Sequence, residues 1–384
     1  MKTRLLRDRE KLSLDYIPER IPHRRDELRG LIEVFREGLE GREARSIAVC
    51  IGSEGSGKTV TIEHLREWVE EEAEELGVSL LFKRVPCRVE RCPSHIIGSL
   101  AASIDPLLPL KGLPLSEVLS SILESAEKRG ERILFVLDDA DLLLEDHPET
   151  IYLFTRIGEM IPEAEHTLFL LLTFKSMDVI QRAKPWITSP LMRNVIFFKD
   201  YTKSQLREIL EYRVWEAFYP GSVSEKALDL AADMGPNARF SLELLLRAGE
   251  VAEDEGSLVV TPDHIRRAEG DVFPAFPQRD LLYLSLHEKL ILMALASLLE
   301  SSPTSLVGMG ELEERYRMIS QDHGVPPIRH TWLWRSVDTL AKLGFISKTL
   351  SGKGRKGRTT LVGLPGARPR PLLKRLRHIL GSMG

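Results

Sequence analysis

The stretch "RSIAVCIGSEGSGKTVTIEHLREWVEEEAEEL", residues 45–76, constrains the fold more than any other part of the chain. It passes from an apolar, strand-like segment through "GSEGSGKT" (52–59) into a long amphipathic helical pattern, and those eight residues satisfy G-x-x-x-x-G-K-[S/T]. The order has a physical reason. Glycines let successive backbone N–H groups turn toward a phosphate, and the helix that follows presents its positive end to the same point. On this pattern Gly52, Ser53, Glu54, Gly55, Ser56, Gly57, Lys58, Thr59 and Val60 form a nucleotide-binding loop. Lys58 is directed to the β- and γ-phosphate oxygens and Thr59 to a metal. The expected ligand is ATP or ADP with Mg²⁺. A plain glycine-rich turn has no need of an apolar strand before it and a helix after it.

The loop belongs to an alternating series. Apolar runs at 45–51, 78–85, 132–138, 167–174 and 194–200 are separated by helical stretches such as 59–76 and 115–130. Strands parted by helices read as an α/β domain on a parallel five-stranded sheet. In "ILFVLDDAD" an apolar strand ends at Asp138, the expected partner of Thr59 in holding Mg²⁺ through its water shell. Asp139 follows, where many hydrolases carry a Glu to polarise the attacking water. An Asp is one methylene shorter, so weak hydrolysis is expected. Asp141 is read as a cap on the next element.

Past residue 200 only helical periodicity remains, as far as "TPDHIRRAEG", and a small helical domain is expected there. "DVFPAFPQRD" (271–280) has two prolines and no period, which marks a linker. Three helical stretches follow, then the β-type runs "FISKTL" and "TTLVGL" on either side of "SGKGRKGRTT" (351–360). The charge changes at the same place. Residues 271–384 hold 17 Lys and Arg against 9 Asp and Glu, whereas the whole chain carries a net charge of −4. A basic module on an acidic body points to a polyanionic partner. No run of 18 apolar residues offers a membrane span, and the opening residues lack the apolar core of a secretory signal. Cys50, Cys87 and Cys92 form no CxxC pair, which fits a reducing compartment and argues against zinc. A cytoplasmic, nucleoid-associated protein is the expectation.

Four stretches in this order narrow the field: "LSLDYIPERIPHRRDEL" (12–28), the phosphate loop, "VLDDAD" (136–141) and "GPNARFSLELLLRAGEVAE" (235–253). Together they resemble the archaeal Orc/Cdc-type replication initiators, AAA+ proteins related to the eukaryotic origin recognition complex and its loading partner. The likeness continues through "LSLHEKLILMALA" and the wing-like "GKGRKGR", so it covers nearly the whole chain. It implies an AAA+ nucleotide-binding domain over 1–200, a helical lid over 201–275 and a winged-helix DNA-binding domain over 276–384. It further implies that Ile21, Pro22, His23 and Arg24 lie beside the adenine. Tyr201 and Arg213 would meet the nucleotide from the lid, and Arg239 would reach the phosphates as a second sensor. For these last three, a packing or surface role is the competing reading.

Residues 281–364 have the order of a winged helix, three helices and then a hairpin. The third helix, 328–342, would enter the major groove with Arg329, His330 and Arg335 exposed. The hairpin tip would place Lys353, Arg355, Lys356 and Arg358 on phosphates or in the minor groove; a flexible basic loop is the alternative. Trp332 and Trp334 stand two apart and cannot share one helical face, so at least one is expected in the core. The family also contacts DNA through a helical insertion after the second strand, but 92–114 is apolar here and poor in cations.

Some positions depart from the family pattern. The fourth strand ends "LLTFK", which leaves Thr173 as the first-sensor candidate beside Asp139 and puts Phe174 where an Asn is usual. "KPWITSPLMRN" replaces a "DPR" motif, with Trp186 at or near the arginine position and Arg182 and Arg193 as weak substitutes. These changes imply slow turnover, with nucleotide as a switch or a retained ligand. The resulting expectation is an initiator that binds ATP or ADP, recognises double-stranded origin DNA, and works with a second initiator paralogue and the replicative helicase. The alternative is a nucleotide-stabilised DNA-binding paralogue that regulates transcription or origins with little ATPase activity.

Overall fold

The computed structural model describes residues 4–13, 16–41, 46–88, 90–106, 108, 112–161, 166–269, 272, 281–282, 284–301, 304–350, 360–365 and 369–381. It divides into two compact units, Met1–Ile265 and Arg266–Gly384. In the first unit, strands β1 (Ile47–Ile51), β2 (Ser79–Pro86), β3 (Glu131–Asp138), β4 (Leu168–Phe174) and β5 (Val195–Phe197) form one sheet in the order β2-β3-β4-β1-β5. Every pairing is parallel. β1 is buried along its whole length, as an inner parallel strand covered on both faces must be.

Alternation along the strands divides the apolar side chains between two layers. Ile47, Val49, Ile133, Phe135, Leu170 and Leu172 face one core, together with residues of α3 (Pro93–Ile104), α4 (Leu115–Lys128), α5 (Asp141–Asp146) and α6 (Pro148–Met160). Ala48, Cys50, Leu134, Val136, Phe169 and Leu171 face the other, against α1 (Arg25–Leu39) and α2 (Lys58–Glu75). The apolar residues of α3, Ile96, Ile97, Leu100 and Ile104, are therefore core. The fifth strand stops at Phe197, short of the expected 200. Phe198 still donates to the Ile51 carbonyl, but the Lys199 carbonyl accepts from Arg24 instead of a strand neighbour.

Two short helices, α7 (Met177–Arg182) and α8 (Pro185–Thr188), link β4 to β5. The lid follows as α9 (Lys203–Ala217), α10 (Glu225–Met234) and α11 (Ala238–Asp254), with α12 (Pro262–Glu269) at the division between units. Thr202 opens α9 with a capping box to Gln205, and Asn237 caps α11 by accepting from the Phe240 N–H. The N-terminal segment lies on this lid. The Leu5 and Leu6 amides donate to Glu253, and the Arg7 and Asp8 amides donate to the Ala217 carbonyl.

The second unit is built on α13 (Leu286–Ser301), where Leu290 to Ala296 are all buried. β6 (Val307–Gly308), α14 (Met309–Asp322), α15 (His330–Lys342), β7 (Ser347–Leu350) and β8 (Thr360–Gly363) follow. β7 and β8 pair antiparallel as expected, and β6 adds a third strand on the far side of β8. Buried Tyr316 ties the helices together, with its hydroxyl between His287 and the Ile328 amide. α16 (Pro369–Gly381) packs back on α13, and its Leu372, Leu376 and Ile379 are buried. Among the described residues no helix is long and apolar enough to cross a membrane.

Candidate nucleotide and nucleic-acid sites

The C-terminal ends of β1, β3 and β4 converge on one point, where parallel α/β sheets place their ligands. Gly52 follows β1, and a Cβ there would lie 2.5 Å from the Phe198 carbonyl oxygen. Gly55 and Gly57 have φ of +76° and +94°, a region that disfavours any side chain. A Cβ on Gly57 would also strike the Tyr201 hydroxyl, and one on Gly55 would meet Asn237 at 2.8 Å. Lys58 is only 6% exposed, and its Nζ donates to the carbonyls of Gly52 (2.6 Å) and Ser53 (3.0 Å). Ser56 Oγ is buried with no hydrogen-bond partner among the described residues. Ser53 bonds Asp200 through its hydroxyl, and Val60 is half-buried on the first turn of α2.

Asp138 ends β3 and faces α2. Its Oδ2 accepts from Thr59 Oγ1 at 3.5 Å and lies 3.9 Å from Arg84, which pairs with Glu63 at 2.9 Å. Its Oδ1 accepts from Thr173 Oγ1 at 2.7 Å, and the same Thr173 oxygen accepts from the Asp139 amide at 2.7 Å. Burial, and next the charge of Asp139, push the Asp138 carboxyl above its ordinary value; the Thr173 hydrogen bond, Arg84 and Lys58 oppose them. Asp139 holds a left-handed backbone with φ of +53°. Asp141 does not cap the following helix, whose N-cap is Ala140. Its Oδ1 accepts from the Lys175 amide at 2.9 Å and so ties the end of β4 to α5.

Ile21, Pro22 and His23 are half-buried ahead of α1, and His23 pairs with Glu208 of the lid at 2.9 Å. Arg24 is buried. Its Nε donates to the Ser56 carbonyl at 2.7 Å, and its guanidinium lies over the Tyr201 ring at 4.0 Å. The Arg24 pair with Glu27 completes a brace under the loop. Arg239 reaches the loop from α11 and pairs with Glu54, which also meets Arg88 at 3.4 Å. Tyr201 and Arg213, expected as a pair, go different ways. Arg213 donates to the carbonyls of Lys11 and Ser13 and lies over the Tyr16 ring, because the N-terminal segment covers that side of α9.

Profiles of three protein domains cover the chain in order: an AAA domain over residues 41–178, a Cdc6 AAA+ ATPase-type lid domain over 207–270, and a CDC6 C-terminal winged helix domain over 280–367. The chain is 33% identical to ORC1-type DNA replication protein 2 of Saccharolobus solfataricus, across 97% of this chain and 92% of that protein. It is 32% identical to the protein of the same description from Sulfurisphaera tokodaii, across 92% and 88%. The chain belongs to the ORC1-type DNA replication protein family. The Aeropyrum pernix ORC1 protein, solved in complex with DNA, matches it with a TM-score of 0.76 at 27% identity, covering 100% of both chains. The expected AAA+ domain, lid and winged helix are thus those of an ORC1-type initiator.

Two departures from the family pattern take physical form. Phe174 is fully buried, and its carbonyl accepts from the Gly52 amide, so Thr173 is the polar group presented at the end of β4. Trp186 is 47% exposed with its ring edge-on to Tyr152 at 4.7 Å, and Arg182 and Arg193 are exposed nearby in the sequence. In the ORC1-type winged helix, Arg329 is exposed at the N-cap of α15 and His330 pairs with Glu313 at 2.7 Å. Arg335 is exposed over the Trp332 ring at 5.1 Å. Neither tryptophan fills the core, contrary to expectation. Trp334 is half-buried and Trp332 is 59% exposed, while Leu333, Val337 and Leu340 supply the buried stripe. Lys353, Arg355, Lys356 and Arg358 lie outside the described residues.

Several residues at the site escaped sequence reasoning: Arg84, Arg88, Lys175, Glu63 and Asn237. Arg84 and Arg88 flank the end of β2 and Lys175 the end of β4, in line with Asp138 on β3. Strand-end position in a parallel sheet was the available signal. Glu63 and Asn237 had none.

Proposed function

We propose that this protein is a nucleotide-binding replication initiator. It recognises double-stranded origin DNA through its winged helix and AAA+ domain, and it helps recruit the replicative helicase, alongside a second initiator paralogue. The observation that carries the reading is the likeness, over the full length of both chains, to an ORC1 protein solved on DNA. Family membership supplies the role; the local chemistry supports the ligand.

The loop residues fit a nucleotide phosphate. The left-handed glycines bare the backbone, Ser56 Oγ has no partner among the described residues, and the Lys58 ammonium rests on loop carbonyls that a phosphate oxygen can replace. Thr59 and Asp138 are the residues to hold Mg²⁺, which when bound neutralises charge on the β- and γ-phosphate oxygens. Asp138 suits a cation, since its burial disfavours an uncompensated charge. Thr173 acts by orientation: its proton goes to Asp138 and its lone pair takes the Asp139 amide, which fixes both acids. Ile21 to Arg24 border the base, and Arg239 and Tyr201 approach from the lid side. Arg213 contributes by anchoring the N-terminal segment. On the winged unit, Arg329, His330 and Arg335 face the groove, and Lys353, Arg355, Lys356 and Arg358 add contacts to DNA phosphates.

Turnover is slow on this reading. Asp139 is one methylene short of the usual base, and an aromatic residue, Trp186, stands where a neighbour-directed arginine is expected. The same observation favours a second reading, a nucleotide-stabilised DNA-binding paralogue with little ATPase activity. Footprinting of genomic fragments with a non-hydrolysable ATP analogue and with ADP separates the two. Protection at a few repeated sites in a long intergenic region, changing with nucleotide, is the expected result. Protection scattered over promoters and indifferent to nucleotide would reject the initiator role.

A further inference from the structure

Glu54 is the one acid in the phosphate loop, and cations from three separate elements surround it. Arg239 arrives from α11 and forms an ion pair with it. Arg88 arrives from the end of β2, with its Nη1 at 3.4 Å. Lys175 follows β4, and its backbone is fixed by Asp141. Burial penalises the Glu54 charge, but Arg239, Arg88 and Lys175 outweigh it and hold the carboxyl below its ordinary range. The Glu54 and Arg239 side chains are each about one-third exposed, so the pair stands at the mouth of the loop, open to exchange. Next to it, Asn237 of the lid sits against Gly55.

A carboxylate and a terminal phosphoryl group present the same kind of face to a guanidinium, a pair of anionic oxygens. We infer that Glu54 is a specificity residue of this loop: its carboxylate occupies Arg239 in place of a terminal phosphate, so the site favours a nucleoside diphosphate, and a triphosphate must displace Glu54 to engage the lid. The inference rests on the nucleotide reading above and deepens it. A diphosphate leaves the Glu54–Arg239 pair intact and the lid tied to the loop. A triphosphate brings a second anion to the same cations, and either Glu54 moves away or the two anions repel. Glu54 thereby couples lid attachment to the number of phosphates.

The test is equilibrium binding of ADP and of a non-hydrolysable ATP analogue to the full chain, in four forms: wild type, Glu54→Gln, Arg239→Ala and the double variant. Glu54→Gln keeps the side-chain volume and removes the charge. It is expected to raise the ratio of triphosphate to diphosphate affinity about tenfold, the scale of one charge-assisted hydrogen bond. In the Arg239→Ala background the same change should leave the ratio within about twofold, since the contested cation is gone. An unchanged ratio in Glu54→Gln, or a gain that survives loss of Arg239, would overturn the inference while leaving the nucleotide site in place. No binding of either nucleotide by the wild type would instead overturn the nucleotide reading, and this inference with it.

Discussion

In the phosphate loop the lysine is buried, and two loop carbonyls within 3.0 Å fix its ammonium. At the N-cap of α15 and within it, Arg329 and Arg335 stand in solvent, and the second lies over the face of the exposed Trp332 indole. On the function proposed above, both regions use cations to meet phosphates, the first by geometry and the second by accumulated charge. A preorganised cation has no substitute, so removing it should act as all or none. Exposed cations are screened by salt and act through displaced counterions, so each contributes a similar, graded share. The lid arginine falls between these cases, one-third exposed and paired with the Glu54 carboxylate.

The largest effect tests the first half of that contrast. Lys58→Ala should reduce nucleotide affinity by more than about 100-fold, because the buried cation that the loop carbonyls hold in place is lost. Nucleotide released from purified wild type and variant on denaturation reads this directly, and equal content would refute the role. The second half predicts something smaller and of a different form. Arg355→Ala with Arg358→Ala should weaken DNA binding at every sequence alike and reduce the salt slope by about 2 units. Titration over a range of salt measures that slope. An unchanged slope would remove the wing tip from the DNA face, and loss confined to one sequence would make these residues base readers instead of phosphate contacts.

The same contrast governs how much could be read from sequence. The five strands and the phosphate loop were legible because glycine, an apolar run and a helical period each restrict the backbone, and here they coincide within 32 residues. Asp138 followed from the end of an apolar strand. What the sequence concealed is the partnering of side chains across elements. Nothing in "TKSQLREILEYRVWEAF" says that Arg213 will be taken by carbonyls of Lys11 and Ser13 some two hundred positions away. Nor does the loop motif say that its variable Glu54 meets Arg239 and Arg88. In the winged unit the helix order and the two hairpin strands were legible, yet the tryptophan rule failed. It assumed that an indole seeks the core, whereas Leu333, Val337 and Leu340 already fill that stripe.

That failure supplies the smallest prediction. Trp332 is 59% exposed, and its ring contact is with the Arg335 guanidinium. Trp332→Ala should therefore lower the stability of the winged unit by no more than about 1 kcal/mol, the size of an exposed cation–π contact. Truncating a buried aromatic costs about 3–5 kcal/mol. The shift in the thermal transition of the full chain separates the two, and a loss in the larger range would mean that the indole is core after all. A small shift has a consequence for the contrast between the regions. An indole kept in solvent on the helix that carries Arg329 and Arg335 adds apolar surface and a stacking face to a region otherwise argued from charge alone. Its removal should then weaken DNA binding without altering the salt slope, because it neutralises no phosphate. A slope that falls with Trp332→Ala would show that the indole serves only to position Arg335.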